Sequence, residues 1–301
     1  MDTMAADFEK NLEKIDGYTK LVGLLATPIG HSLSPRMHNL GYTLKDLNYA
    51  YLAFEVGNDE LEKAVEGMKA IGAIGFNISM PNKMEVIQYL DELDEGAKHA
   101  GAVNTVVNEN GKLKGYNTDG LGYVSNLLEH GVELKGKKVT LVGSGGVATP
   151  IATQLVQSGI REISVFARDD KFFSNAEKNV KYINEEMQEY QVKANILPLE
   201  DKEAFRREVA ESLVLANATS LGMKPLDDLS IIDDTLDVLR DDLVITDVVY
   251  NPQRSKLLKQ AEEGGSKAIN GLGMMLWQGA LAFEKFTGEE MPREKIKEIM
   301  F

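Results

Sequence analysis

Lys83 closes the stretch Asn77-Ile-Ser-Met-Pro-Asn-Lys83, and Asp119 follows 36 residues later within Tyr116-Asn-Thr-Asp-Gly120. A lysine beside a carboxylate can pass a proton to or from a hydroxyl or carbonyl oxygen. A glycine-rich run, Gly143-Ser-Gly-Gly146, lies further on, and a dinucleotide held there can pass a hydride. Together they suggest a dehydrogenase acting on a small polar alcohol. Ser79 and Pro81 place Lys83 in the first turn of an expected helix, where the dipole and partial burial would disfavour the ammonium. Asn77, Asn104 and Asn117 are amides at strand ends and turns, suited to substrate hydroxyls. Read without chemistry, the lysine is a solvated helix-start residue and Asn-Thr-Asp-Gly a plain turn. Spacing alone leaves both readings open. Ser32 and Ser34 offer two hydroxyls at another helix start, a place that favours anions; capping by Ser34 alone is the simpler use. His31 and His38 have no carboxylates or other ligands near them in sequence and read as structural, so no metal is expected.

The nucleotide motif is strand, turn and helix start in one run, Val139 to Ala148. Gly143 allows the tight turn, and Gly145 lets the backbone approach a pyrophosphate. Ser144, Gly146, Val147 and Ala148 lead into the helix whose N–H groups face that anion. Ala148 replaces the last glycine of the fingerprint, which tolerates it. A mere tight turn is the alternative. At the end of the next strand stand Arg168, Asp169 and Asp170. A carboxylate there binds the ribose diol and repels a 2′-phosphate, whereas arginine accepts the phosphate. Arg168 could instead stack on adenine while Asp170 takes the diol.

These residues need elements to hold them. In the first part the pattern predicts strands at residues 20–26, 49–56 and 73–79. Helices are expected at 35–45 (capped by Ser34), 59–71 and from Pro81 to about residue 90. Residues 102–107 and 112–116, split by Asn-Glu-Asn-Gly, predict a hairpin. In the second part strands are expected at 138–142, 162–167, 192–197, 213–217 and 243–247. The helices there fall at 147–158, about 172–190, 255–263, 274–286 and 293–300. A helix at 121–130 would bridge the two parts, and residues 1–16 read as an amphipathic lead-in. The alternation implies α/β architecture with parallel sheets covered by helices.

Bulk composition agrees. The chain has 301 residues, 43% hydrophobic and 27% charged, enough for two domains. Its net charge of −14 disfavours nucleic acid and anionic lipid as partners. With no cysteine, thiolate catalysis and disulfides are excluded. No apolar run would span a membrane, and the N-terminus has no signal-peptide pattern, so a cytoplasmic location is expected. Monomer and homodimer are both open.

Five motifs in order resemble the shikimate dehydrogenases, closest to the quinate/shikimate dehydrogenase branch. They are Pro28-Ile-Gly-His-Ser-Leu-Ser-Pro35, Asn77–Lys83, Ala100-Gly-Ala-Val-Asn-Thr105, Tyr116–Gly120 and Gly271-Leu-Gly-Met-Met-Leu-Trp-Gln278. Asn217-Ala-Thr-Ser-Leu-Gly-Met223 and Val249-Tyr-Asn-Pro252 are similar to the family's nicotinamide-side loops. The resemblance implies an N-terminal α/β substrate domain (1–120) and a Rossmann-type domain (121–273) with a cleft between them, residues 274–301 packing back on the first. It implies Lys83 as the proton-transfer residue, Asp119 as its partner, and Ser32 and Ser34 on the substrate carboxylate with Tyr250 beside them. Asn77, Ser79, Asn104, Asp119 and Gln278 would contact ring hydroxyls. Thr219 and Val248 would line the nicotinamide pocket, with Gly271 in the same motif as Gly273, which flanks the nicotinamide. The substrate would be shikimate, and quinate a second one. Ser79 stands where many members have threonine. Ala167-Arg-Asp-Asp170 replaces the Asn-Arg-Thr pattern of strictly NADP-dependent members, and Asp170-Lys-Phe-Phe173 is similar to the branch that uses both cofactors. NAD is therefore the expected preference, with NADP also accepted. A methylene-tetrahydrofolate dehydrogenase would need a pterin-sized apolar pocket, which the paired serines oppose. A metabolite-sensing regulator on the same fold would not need the lysine and aspartate.

Overall fold

The computed structural model describes residues 15–170 and 173–301. Most of the expected lead-in at 1–16, and Lys171 and Phe172 of the ribose loop, lie outside the described residues. Two compact units emerge. One comprises the residues up to Thr118 together with Gln278–Phe301, and the other is Asp119–Trp277.

In the first unit a six-stranded sheet has the order β2-β1-β3-β5-β6-β4. β1 (Lys20–Ala26) is a continuous apolar run, as a strand with neighbours on both sides and both faces covered requires. It pairs in parallel with β2 (Tyr49–Glu55) and β3 (Gly75–Ile78). β5 (Thr105–Glu109) and β6 (Lys112–Tyr116) form the expected hairpin. Its two-residue loop, Asn110-Gly111, has φ of 57° and 89°, the conformation a right-twisted hairpin favours. β5 runs antiparallel to β3, so this sheet is mixed, not parallel throughout. The short strand β4 (Glu92–Leu93) completes the edge.

Helices α1 (Ser34–Leu44), α2 (Leu61–Ala70) and α3 (Glu95–Ala100) connect these strands. The Ser34 cap does not form: Leu33 is the N-cap residue, without a side-chain bond, and Ser34 is already helical. Nor does Pro81 open an α-helix. Residues 80–84 are turns, followed by a 3₁₀ segment, Glu85–Tyr89. The side chain of Asn82, fully buried, pulls this turn inward by donating to Val56 O at 2.8 Å. That tertiary bond competes with helix, and Lys83 consequently has no α-helix dipole behind it.

The second unit is an all-parallel sheet in the order β12-β11-β10-β7-β8-β9. The strands are β7 (Lys138–Val142), β8 (Glu162–Ala167), β9 (Lys193–Pro198), β10 (Val214–Asn217), β11 (Val244–Asp247) and β12 (Lys267–Ile269). Read from its sixth strand to its third, this is the doubly wound dinucleotide-binding order, with its switch point between β7 and β10. Helix α4 (Asp119–Glu129) precedes β7, and α5 (Ala148–Gln157), α6 (Phe173–Glu186), α7 (Lys202–Ala210) and α8 (Lys256–Glu263) connect strands of the sheet. α9 (Leu272–Thr287) and α10 (Arg293–Met300) end the chain. α3, α7, β4 and β12 were not expected from sequence; they are short and carry little periodic signal.

Two cores hold the second sheet, one around Val139, Leu141, Ile151 and Ile163, the other around Phe166, Phe205 and Ile245. The first unit packs around Leu25, Phe76, Ile78 and Val106, with an aromatic group of His38, Tyr42, Tyr51, Phe283 and Phe286. Lys138 is buried at the start of β7 and paired with Glu208 at 2.7 Å, Glu211 at 2.9 Å and Glu162 at 3.2 Å. Three carboxylates offset the desolvation of one ammonium, a structural use of charge far along the strand from the glycine turn.

Candidate active site

The first unit gathers its polar side chains where β3 meets β5. Asn77 lies opposite Thr105 in the strand register. Its Nδ2 donates to Thr105 Oγ1 and to Asn104 O, both at 3.0 Å. Its Oδ1 accepts from the Tyr51 phenol, which reaches diagonally across β1, at 2.8 Å. Asn104 Nδ2 donates to Thr118 Oγ1 at 2.8 Å and to Gln278 Oε1 at 3.4 Å, and its Oδ1 accepts from Thr105 Oγ1 and Thr118 N at 2.9 Å. Thr118 Oγ1 in turn donates to Gln278 O at 3.0 Å. Tyr51, Asn77, Asn104, Thr105 and Thr118 are all buried. Buried polar groups persist only when hydrogen-bonded, and a chain of such bonds fixes which way each amide faces. Three residues expected from sequence, Asn77, Asn104 and Gln278, thus meet in one network. Tyr51 and the two threonines, which tie them together, were not assigned. Thr105 and Thr118 lay inside the quoted motifs; the signal available was a small hydroxyl beside each amide.

Around this network lie the other expected residues of the unit. Ser32 and Ser34 are half-buried at the start of α1, with Ser32 Oγ accepting from Ser34 N at 3.3 Å. Burial pushes the ionisation of the Tyr51 phenol well above the ordinary tyrosine range. Ser79 N donates to Leu25 O at 3.2 Å, anchoring the Lys83 turn to β1. Lys83 is half-buried, and its carbonyl accepts from Val103 N at 2.8 Å, which sets it one residue from Asn104 in the opposing segment. Asn117 is held structurally, donating to Ala102 O at 2.9 Å.

In the second unit Asp119 is buried and is the first residue of α4. Gly143 has φ of +138°, which a side chain would resist, and a Cβ there would lie 2.8 Å from Ala218 O on the neighbouring switch-point loop. At Gly145, by contrast, a Cβ would meet nothing within 4 Å. Open space above an α-helix N-terminus that no side chain caps fits a pyrophosphate. Ser144, Gly146 and Val147 line the same turn, and Ala148 begins α5. Arg168, Asp169 and Asp170 are exposed past the end of β8, where an adenosine ribose would be held. The residues present therefore fit a dinucleotide.

Beyond β10 and β11 a second polar network ties the loops together. Asp247 is buried and accepts from Asn217 Nδ2 and Val249 N at 3.0 Å and from Ser255 Oγ at 2.5 Å. Burial pushes its carboxyl up to about 6, against the pull of these three donors. Asn217 Oδ1 accepts from Thr219 Oγ1 at 2.6 Å, and its carbonyl from Val248 N at 3.1 Å. Asp247 thus fixes both expected pocket residues, Thr219 and Val248; sequence reasoning gave it no role. Burial also raises the Tyr250 phenol. Gly271 and Gly273 answer to packing: a Cβ at 271 would lie 2.3 Å from Val248 O, and one at 273 would lie 1.9 Å from Asn126 Oδ1. Among the described residues no cluster of histidine and carboxylate side chains could hold a metal ion. No helix there is long and apolar enough to cross a membrane.

A chain with a doubly wound sheet and its glycine turn in one unit, and a lysine and ordered amides in the other, belongs to the class of nicotinamide-linked oxidoreductases acting on CH–OH. Residues 24–106 match the shikimate dehydrogenase substrate binding domain, and residues 271–301 the shikimate 5′-dehydrogenase C-terminal domain. The chain is 53% identical over 292 residues to shikimate dehydrogenase (NADP(+)) of Streptococcus uberis, covering 96% of this chain and 98% of that one. The crystal structure of shikimate 5-dehydrogenase from Listeria monocytogenes in complex with shikimate and NAD is similar at a TM-score of 0.89 and 50% identity, covering 95% and 98%. A shikimate dehydrogenase structure in complex with NADP⁺ follows at 0.84 and 38%, covering 94% and 95%. The chain belongs to the shikimate dehydrogenase family. The expected preference for NAD gains no support from the Streptococcus relative, whose name specifies NADP(+).

Proposed function

We propose that this chain reversibly reduces 3-dehydroshikimate to shikimate, with NADP(H) as working cofactor and NAD(H) accepted. The observation that carries the reading is the Asn77–Thr105–Asn104–Thr118–Gln278 network, buried except for the part-buried Gln278, beside the Lys83 turn. A fixed set of amides and hydroxyls suits a polyhydroxylated ring, since a site built on hydrogen bonds rejects analogues that leave its groups unpaired. The first unit holds the substrate and the second the dinucleotide. Ser32 and Ser34 take the carboxylate, with Tyr250 beside that end. Asn77, Ser79, Asn104 and Gln278 take ring hydroxyls. In the reducing direction Lys83 gives its proton to the carbonyl oxygen, and in the oxidising direction it takes that proton back from the hydroxyl. Asp119 orients Lys83 and shares its charge. The cationic ammonium stabilises the developing alkoxide without a metal.

The turn Gly143–Val147, the α5 N-terminus at Ala148, and Thr219, Val248, Gly271 and Gly273 would hold the dinucleotide. When bound, it supplies or takes up the hydride. Arg168 can pair with a 2′-phosphate, whereas Asp169 and Asp170, both exposed, oppose it by like-charge repulsion that solvent screens. The Streptococcus relative's naming for NADP(+) supports the arginine's side of this balance. Steady-state turnover of shikimate and quinate with each dinucleotide tests the reading. Turnover of shikimate with NADP⁺ is expected, and Arg168→Ala should lower kcat/KM for NADP⁺ about tenfold while sparing NAD⁺. No turnover of shikimate with either dinucleotide would overturn the proposed activity.

A further inference from the structure

We propose that Tyr51 is a positioning residue for the substrate, its phenol setting the orientation of the Asn77 amide. The inference rests on the dehydrogenase reading above. Tyr51 is 0% exposed and cannot itself meet a ligand without rearrangement. Its ring is clamped by His38, stacked at 4.4 Å between centroids with planes 15° apart, and His38 is only 1% exposed. From that fixed ring the phenol reaches Asn77, which is assigned a ring hydroxyl.

The proton count makes the link directional. A phenol has one proton to donate, and at 2.8 Å that proton goes to Asn77 Oδ1. Both protons of Asn77 Nδ2 are already used, on Asn104 O and Thr105 Oγ1. What Asn77 has left is one lone pair on Oδ1, so it serves a ligand as an acceptor and not as a donor. The phenol bond on the other lone pair holds Oδ1 facing that way. Without it the amide keeps its two donor bonds but loses the contact that fixes its tilt. Tyr51 therefore acts on substrate affinity through the Asn77 side chain.

Tyr51→Phe deletes the phenol oxygen and leaves the ring in its stack with His38. In steady-state kinetics the KM for shikimate should rise about tenfold, with the KM for the dinucleotide unchanged, the scale expected when one buried polar partner is removed. In a chain already carrying Asn77→Ala, adding Tyr51→Phe should raise the shikimate KM much less, because residues acting through one another are non-additive. A purely structural role would lower the melting temperature and disturb both Michaelis constants alike. An unchanged shikimate KM in Tyr51→Phe, equal shifts in both constants, or full additivity with Asn77→Ala would overturn the inference alone. A wild-type chain that fails to turn over shikimate would overturn the dehydrogenase reading and this inference with it.

Discussion

The two units present their chemistry by different physical means. In the first, the working groups are side chains, and each amide is held by other side chains: Asn77 by Tyr51 and Thr105, Asn104 by Thr118 and Gln278. In the second, the working surface is backbone, a turn whose glycines leave room and whose following helix offers N–H groups. Side-chain sites depend on charge and hydrogen-bond partners, and so fail when a functional group is removed. Backbone sites depend on close approach, and so fail when an atom is added.

Deleting the Lys83 ammonium is the largest test of that contrast. Lys83→Ala should lower kcat by about a hundredfold or more, the usual scale for a lost acid–base group, with substrate KM changing less. Near wild-type turnover would remove Lys83 from the chemistry. The complementary test adds a single methyl to the second unit. In Gly271→Ala the new Cβ would press on the Val248 carbonyl, a backbone group that cannot swing away. Overpacking of this kind costs about 1–3 kcal/mol, and the dinucleotide KM should rise while the shikimate KM holds. Urea unfolding together with both Michaelis constants checks it; an unperturbed Gly271→Ala would mean the close approach does not constrain the loop.

The smallest effect is in pH dependence, and the units should slope in opposite directions. Burial holds the His38 imidazole down to about 3. A depressed folded-state value gives stability that is present above the unfolded histidine range and lost as pH falls from about 6.5 toward 3. Asp247, raised to about 6, does the reverse: its contribution is present below about 4 and lost as pH rises through 6. Asp247→Asn deletes the opposing slope, so between pH 6 and 4 the variant should lose stability more steeply than wild type in urea titrations. Parallel pH profiles for variant and wild type would show that Asp247 does not titrate in this range.

Much of the fold was legible in the chain. The strands at Lys20–Ala26, Lys138–Val142 and Glu162–Ala167 and the helix Arg293–Met300 have the bounds their patterns predict, because each is a long periodic or uniformly apolar segment. Asn110-Gly111 announced its hairpin through a conformation few other residue pairs adopt. The segment after Pro81 misled, since a proline at a turn resembles one at a helix start, and only the burial of Asn82 decides between them. Ser34 misled in the same way: it had the chemistry of a cap, but its neighbour Leu33 took the position.

By itself the sequence determined the doubly wound nucleotide unit and the residue types of the first unit's polar cluster. Both follow from local rules, the glycine turn from backbone sterics and the strand alternation from burial. It did not determine which side chains saturate one another. The Tyr51–Asn77 bond spans 26 positions and the Asn104–Gln278 bond 174, and nothing local specifies either. The buried carboxyl of Asp247 was equally invisible, since its shifted ionisation comes from desolvation by segments that meet only in the folded unit. Hydrogen-bond geometry and dielectric environment belong to the tertiary structure, because both are set by atoms brought near from distant parts of the chain.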